Sequence, residues 1–310
     1  GAHHRETKFL IERTTEATGK HYTMAWPSEE HASGRPLKTS PLYARLKSGG
    51  GCFGSKFGWE RPNWFAPEGM ESQDRYSMGR QNWFGPVGEE HRLVRENVGI
   101  FDQSSFAKYE LAGADALKAL DWICANNVSK PVGRLTYTQL LNSRGGIEAD
   151  LTVARIAEDR FYIVTGTGSA ARDFNWIERN IPDGSDVRFT DVSMASAVLG
   201  LMGPLAREVL SQATDADLSS GAFPFATSRE LQIAGATVRT MRVTFDQIPQ
   251  RFEQVALTLG CNRRRAFWRV IMPQARGGLL AAGTLAWARA LGEFGPILVF
   301  AGATRQKTEV

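Results

Sequence analysis

The sequence predicts an α+β fold, with a mostly antiparallel sheet that carries helices on one side, followed by an all-helical C-terminal tail. Three observations support this. Short segments of alternating apolar and polar residues flank glycine turns, as in β-hairpins. Segments with apolar residues three or four positions apart lie between them, as in amphipathic helices. Beyond residue 245 the alternation stops and helical spacing continues to the end of the chain.

The first ninety residues contain little regular periodicity. Residues 8–19 predict a short helix, and a polar loop follows. Residues 41–90 are rich in Gly, Pro and aromatic residues, and they contain a near-repeat at 61–67 and 80–86. We interpret both copies as loops whose Trp-Phe pairs plug the edge of a core, because large aromatic side chains mostly pack.

The next part of the chain alternates between the two patterns. Glycines at the turns supply the positive φ that tight hairpins need, and Ser169 is a typical helix cap. The predicted helices are 89–99, 114–125, 169–181 and 204–213. The predicted strands are 106–113, 135–142, 147–156, 161–168, 187–193 and 197–203, with a last hairpin at 229–245 around Gly235.

Charge is unevenly distributed along the 310 residues. The formal net charge is +4, and residues 246–310 hold nine Lys/Arg against four acidic residues. The body of the chain is therefore nearly neutral, and we expect no nucleic acid as a partner. The three cysteines are widely spaced with no CxxC pair, which argues against a disulfide framework and predicts no metal site. A reducing compartment fits this usage, so we expect residues 1–245 to be cytoplasmic.

Common catalytic motifs are absent from the sequence. Gly49-x-Gly51-x-x-Gly54 matches the dinucleotide-binding letters, but no strand pattern precedes it and no helix pattern follows it. No Ser-His-Asp arrangement, GxSxG, Walker or HExxH pattern occurs.

The predicted hairpin at 135–156 carries the most informative polar residues. Tyr137 and Asp150 lie on the two strands that flank its Gly-Gly turn. An aspartate among apolar residues such as Leu151 and Val153 would suffer a desolvation cost unless something engages it. From composition alone, a hydrogen-bonded turn carboxylate is the favoured interpretation and a functional group is the alternative.

Several longer segments resemble one known family. The segments 101–111, 136–153, 161–177 and 201–210 are similar to folate-binding aminomethyltransferases, which include the T-protein of the glycine cleavage system. Further segments at 34–47, 57–67 and 76–106 resemble the C-terminal half of dimethylglycine and sarcosine dehydrogenases. The resemblance predicts three parts: a remnant of the dehydrogenase middle domain (1–40), the N-terminal part of an incomplete aminomethyltransferase domain (41–245), and the tail (246–310).

The resemblance implies a tetrahydrofolate-dependent transfer of a one-carbon unit from an N-methyl amine or its imine. Asp150 would stabilise the cationic iminium and accept a proton from folate N5, while Tyr137 would line the pteridine pocket. Gly166 occupies the position where T-proteins carry an Asn against the pterin. The resemblance implies FAD as a cofactor only if a domain absent from this sequence binds it. This assignment expects Asp150 to be shielded from bulk water beside a cavity.

The family pattern breaks at the end of this region. The family continues with Tyr-x-Gly-Glu-x-Gly-aromatic-Glu, but Phe245 replaces the Tyr here and Phe252 occupies the final Glu position. The missing pterin contacts predict that tetrahydrofolate binding and activity are weak or lost.

The tail resembles a different class of protein. Residues 248–303 are similar to the C-terminal part of molybdate- or sulfate-type ABC importer permeases, whose ATPase-docking loop matches Ala256, Gly260 and Pro273 in spacing. That resemblance implies an ABC ATPase subunit as a partner and association with the inner membrane through residues 246–303. Two alternatives to an aminomethyltransferase therefore stay open: a permease fragment, and an inactive gene fusion.

Overall fold

A computed structural model of the chain describes residues 6–24, 26–27 and 29–242. The chain divides into two units, Gly1–Val243 and Thr244–Val310, and only the first contains described residues. The helical tail, the position of Phe245 and the docking loop predicted at Ala256, Gly260 and Pro273 lie outside the described residues.

The described part of the chain alternates helices and strands. The helices are α1 (Thr7–His21), α2 (Tyr43–Ser48), α3 (Phe84–Glu96), α4 (Ala116–Ile123), α5 (Ala170–Asn180) and α6 (Ala206–Ser211). The strands are β1 (Gly51–Lys56), β2 (Trp59–Phe65), β3 (Gly99–Asp102), β4 (Ala107–Ala112), β5 (Leu135–Leu141), β6 (Ile147–Ala157), β7 (Arg160–Thr165), β8 (Arg188–Asp191), β9 (Leu199–Met202), β10 (Thr227–Ile233) and β11 (Ala236–Arg242).

The largest sheet has five strands in the order β5-β6-β7-β4-β8, and every neighbouring pair is antiparallel. Three two-stranded antiparallel sheets accompany it: β1-β2, β3-β9 and β10-β11. The predicted α+β class with a mostly antiparallel sheet is therefore confirmed. The alternating sequence pattern predicts such a sheet because successive residues of a strand point to opposite faces.

Helices α4 and α5 supply apolar side chains to one core with the five-stranded sheet. This core contains Leu120 from α4, Ile177 from α5 and Leu151, Phe161 and Ile163 from the sheet, each at most 3% exposed. Spacing of three or four residues lines up such side chains along one helix face. Burying them stabilises the fold by about 1.5–3 kcal/mol per side chain, so this core fixes the sheet on which the candidate site lies.

The aromatic-rich region at 41–90 differs from the loops that the sequence predicts. Its first near-repeat belongs to strand β2, and its second leads into helix α3. Trp64 does pack in the interior, because it is only 2% exposed. Its indole Nε1 donates a hydrogen bond to Asp74 Oδ1 at 2.7 Å. In the second near-repeat Phe84 is 55% exposed, so the prediction that this side chain packs into a core is wrong. Gly51 and Gly54 lie within strand β1, which is not the loop of a dinucleotide site.

Helix α1 is held by polar contacts to the segment that follows it. Glu16 Oε1 accepts from the Ala32 backbone N–H at 2.8 Å, and Glu16 Oε2 accepts from that of Ser33 at 2.7 Å. Lys20 and His31 also face this carboxylate. Burial alone would raise the pKa of Glu16, but the hydrogen bonds from Ser33, Ala32 and Lys20 outweigh burial and hold that pKa well below its usual range.

Within the described residues no helix is both long and apolar enough to cross a membrane. The same part of the chain contains no group of three or more His, Cys, Asp or Glu side chains arranged to hold a metal ion.

Candidate functional site

The predicted hairpin forms from β5 and β6, with Gly145 in its turn at a φ of 77°. Gln139 lies opposite Asp150 in the register, and Tyr137 lies opposite Thr152. These four residues therefore share one face of the sheet. Their neighbours in sequence point to the other face, where Leu151 and the rest of the core pack.

Tyr137 and Asp150 form a diagonal cross-strand pair. The Tyr137 hydroxyl donates to Asp150 Oδ2 at 2.8 Å. A diagonal pair is separated by about 7–8 Å between backbones, which a tyrosine side chain can span. The structure thus places in contact the two residues that the sequence puts on either side of one turn.

The expected shielding of Asp150 is wrong. Asp150 is exposed, and Tyr137 is 57% exposed. The physical reason is strand alternation: the apolar neighbours that suggested a buried aspartate, Leu151 and Val153, point to the opposite face and into the core.

The pair still has a defined electrostatic character. Partial burial, and then the hydrogen bond and charge of Asp150, raise the pKa of the Tyr137 phenol. The phenol therefore stays protonated near neutral pH and acts as a hydrogen-bond donor, while Asp150 acts as the acceptor. The carboxylate oxygen of Asp150 that accepts this bond is Oδ2.

Gly166 lies just beyond β7, beside the pair. Thr152 lies opposite Val164, and continuing that register by two residues places Gly166 opposite Asp150. A Cβ at position 166 would have Ser169 Oγ as its nearest neighbour, at 3.7 Å, so the position has room for a side chain. Gly166 therefore extends, just beyond the end of β7, the row that Gln139 and Asp150 form on β5 and β6.

A second row contains a buried cation. Tyr137, Thr152, Val164 and Lys108 follow one another across β5, β6, β7 and β4. Lys108 is fully buried, and its Nζ donates to the carbonyl oxygens of Ser104 and Ser196 at 2.8 and 2.9 Å. Burial lowers the pKa of Lys108.

Asp173 supports the loop that carries Gly166. Asp173 is 1% exposed, and its Oδ2 accepts from the hydroxyls of Thr165 at 2.5 Å and Ser169 at 2.7 Å. The Ser169 hydroxyl also lies 3.2 Å from the Gly166 carbonyl oxygen. Ser169 does precede helix α5 as predicted, but its side chain contacts Asp173 instead of capping a backbone N–H.

Sequence reasoning missed Gln139, Lys108 and Asp173. For Gln139 a signal was available, because it lies two residues from Tyr137 and therefore on the same strand face. Lys108 lies in a strand pattern where a charged residue normally marks the solvent face. An acidic residue in the first turn of a helix, as at Asp173, is common at solvated helix ends. Neither pattern indicates burial.

Comparison with known proteins gives two family matches. The model described as the GCVT N-terminal domain matches residues 42–248. The model described as the FAD dependent oxidoreductase central domain matches residues 1–40. The structure of glycine cleavage system aminomethyltransferase T from Bartonella henselae is similar, with a TM-score of 0.51 and 29% identity over 63% of this chain and 48% of that chain.

Curated relatives are longer than the matched region. The chain is 38% identical to 4-methylaminobutanoate oxidase (formaldehyde-forming) from Paenarthrobacter nicotinovorans, over 78% of this chain and 29% of that protein. It is 36% identical to rat mitochondrial dimethylglycine dehydrogenase, over 77% of this chain and 28% of that protein. It is 32% identical to human mitochondrial sarcosine dehydrogenase, over 78% of this chain and 31% of that protein. The chain thus spans about 30% of the length of these relatives.

Proposed function

We propose, from the premise that this chain belongs to the GCVT N-terminal domain family, that its open sheet face binds a reduced folate for one-carbon transfer. The premise rests on the family match over residues 42–248. The observation that carries the proposal is the exposed Tyr137–Asp150 pair, at the β5–β6 end of this sheet face. The names of the relatives support an N-methyl amine or its imine as the source of the one-carbon unit.

The side chains present fit a reduced pterin. Its ring carries amine and amide N–H donors, and Asp150 and Gln139 supply acceptor oxygens beside one another on the same face. Gly166, which has no side chain, leaves the end of this row open for a flat ring. A bound tetrahydrofolate would supply the nucleophilic nitrogen that accepts the one-carbon unit.

The roles of the protein groups follow from their contacts. Asp150 is the candidate base, because an ionised carboxylate can accept a proton and stabilise adjacent positive charge. The Tyr137 hydroxyl orients this carboxylate by donating to one of its two oxygens, leaving the other for the ligand. Asp173 positions the loop at Gly166 through Ser169, and it does not touch the ligand in this scheme.

A titration tests the assignment. We would add tetrahydrofolate to the full chain, up to about 5 mM, and follow binding by saturation-transfer NMR; a Kd near 1 mM corresponds to about 4 kcal/mol. Binding that Asp150→Asn removes would support the proposal. No transfer to the wild-type chain at any concentration would refute it.

The matched control is Asp159→Asn. Asp159 is an exposed carboxylate in the turn at the other end of the β6–β7 hairpin, so its removal changes the net charge equally. We expect this variant to bind like the wild type. Equal losses in both variants would indicate a general charge effect and count against a specific site.

For residues 246–303 the permease resemblance is a separate proposal. The loop spacing that includes Ala256, Gly260 and Pro273 favours it, together with the resemblance of residues 288–295 to the membrane segment that follows this loop in such permeases. Membrane fractionation of the full chain tests it, with a chain truncated after residue 245 as the comparison. Recovery of both proteins entirely in the soluble fraction would remove a membrane role for the tail.

A further inference from the structure

Two arginine side chains from different elements meet at one serine hydroxyl in the loop between α6 and β10. Arg207 lies in α6, and Arg242 is the last residue of β11. Arg207 Nη2 donates to Ser220 Oγ at 3.3 Å, and Arg242 Nη2 donates to the same oxygen at 3.2 Å. The two guanidinium groups therefore lie side by side, which brings two positive charges together.

Neither Arg207 nor Arg242 has a carboxylate partner in the part of the chain that the structure describes. The acidic residue of the loop, Asp217, accepts from the Ser219 backbone N–H at 2.8 Å. The hydrogen bonds from Ser219, and then the charge of Arg229, lower the pKa of Asp217. This carboxylate is therefore engaged by Ser219 and Arg229, and it leaves the other two arginines without a negative partner.

The serine hydroxyl is a weak partner for two guanidinium groups. Hydrogen bonds from N–H to a neutral oxygen are typically about 2.9–3.0 Å long, and those from arginine to an anion are about 2.7–2.9 Å. Both contacts with Ser220 Oγ are longer than these values. This oxygen accepts both bonds, and its own hydrogen has no acceptor among the described residues. All three groups can therefore donate to a further acceptor.

The three donors are accessible and partly preformed. Arg207 and Ser220 are exposed, while Arg242 is half-buried. Arg242 Nη1 donates to the Phe223 carbonyl oxygen, which holds its guanidinium group against the loop. Each guanidinium group has five N–H donors, so most of those of Arg207 and Arg242 stay available after these contacts. A small ion can therefore reach all three donors from solvent.

We propose that Arg207, Ser220 and Arg242 bind an oxyanion of the phosphate class, either the free ion or a phosphate monoester. Arginine matches phosphate because its planar fork of N–H groups can donate to two oxygens at once. The three free oxygens of a monoester can accept from the three protein groups together, whereas a carboxylate has only two oxygens. Neither residue of the Tyr137–Asp150 pair takes part, so this inference goes beyond the folate proposal and can fail separately from it.

A phosphate titration tests the inference. We would add inorganic phosphate to the full chain at neutral pH, up to about 20 mM, and follow the width of its phosphorus NMR line. Sodium chloride would hold the ionic strength constant, because salt screens exposed charges. The test variants are Arg207→Gln and Ser220→Ala. The matched control is Arg188→Gln, because Arg188 is an exposed arginine in β8 and its loss changes the net charge equally.

We expect saturable broadening with the wild type and with Arg188→Gln. Arg207→Gln should raise the Kd at least about tenfold, the effect of losing one charge-assisted hydrogen bond, and Ser220→Ala about two- to tenfold. Unchanged melting temperatures without phosphate would show that the variants are folded. Asp150→Asn should bind phosphate like the wild type. Displacement of phosphate by methyl phosphate would identify monoesters as ligands, and failure to displace it would assign the site to the free ion.

Absence of saturable broadening with the wild type would overturn the inference. Equal losses in Arg207→Gln and Arg188→Gln would also overturn it, because they would reveal an effect of net charge alone. Displacement of phosphate by acetate as readily as by sulfate would refute the assignment to the phosphate class.

Discussion

Replacing Asp173 by Ala should destabilise the fold at the loop that borders the candidate site. Asp173 is 1% exposed, and its carboxylate accepts hydrogen bonds from Thr165 at 2.5 Å and Ser169 at 2.7 Å. Arg172 also donates to Asp173 Oδ1, at 3.0 Å. Removing the carboxylate takes away the acceptor of the buried Thr165 hydroxyl and one acceptor of the half-buried Ser169 hydroxyl, beside the Gly166 backbone.

The contacts set the size of the effect. A hydrogen bond to a charged group contributes about 1.5–3 kcal/mol. The Arg172 ion pair is discounted, because the Arg172 side chain is 62% exposed and such pairs contribute little. The two hydroxyl bonds together then give about 3 kcal/mol at the lower end of that range. This is a large share of a typical unfolding free energy of about 5–15 kcal/mol.

Urea unfolding of the full chain, followed by tryptophan fluorescence, measures the loss. Asp159→Ala is the control, because Asp159 is an exposed carboxylate in the turn at the opposite end of β7 and its loss should cost less than about 0.5 kcal/mol. Asp173→Asn, which keeps the shape and one acceptor oxygen, should fall between the two. A cost below about 1 kcal/mol for Asp173→Ala would refute the reasoning that this carboxylate fixes the loop.

Three further predictions concern other positions. Gly113→Ala should cost about 3 kcal/mol or more in thermal unfolding, because the φ of Gly113 is 143° and a Cβ there would lie 2.2 Å from the Asp186 carbonyl oxygen. Because its pKa is lowered in the folded state, Glu16 stabilises the fold at pH values above its ordinary pKa of 4.5, and this stabilisation is lost as the pH falls from that value. The urea midpoint should therefore decline less steeply in acid for Glu16→Gln than for the wild type. Gly166→Asn should leave the melting temperature unchanged, because the nearest atom to a Cβ at this position is 3.7 Å away. The same variant should strengthen tetrahydrofolate binding about two- to tenfold in the NMR titration, which is the effect of one added hydrogen bond.

Strand alternation made much of the central sheet predictable. The hairpin of β5 and β6 and the following β7–α5 unit have clear periodicity, and the structure places their ends within one residue of the predicted ones, except that β7 ends three residues earlier. The proximity of Tyr137 and Asp150 also followed from their positions on either side of one turn. Local pattern was sufficient there because both strands pair with their neighbours in sequence.

The burial of Asp150 was mispredicted from the same pattern. Apolar residues next to an aspartate in a strand indicate that the aspartate faces the other way, because side chains alternate. The β1–β2 hairpin was missed for a different reason. Glycines weaken the alternation that marks a strand, and its turn contains Phe57 with a φ of 52°, which few non-glycine residues adopt. The buried positions of Lys108 and Asp173 depend on partners far away in sequence, such as Ser196 and Thr165, and local pattern does not reveal these.

The exposure of the Tyr137–Asp150 pair limits how tightly this sheet face can hold a ligand. Each hydrogen bond made in the presence of water contributes about 0.5–1.5 kcal/mol. Tyr137, Gln139 and Asp150 together therefore account for no more than about 4.5 kcal/mol, which corresponds to a Kd of about 0.5 mM. A micromolar Kd would require about 4 kcal/mol more. That difference would have to come from contacts other than those of these three side chains, so a micromolar Kd that survives Asp150→Asn would show that the ligand is held mainly elsewhere.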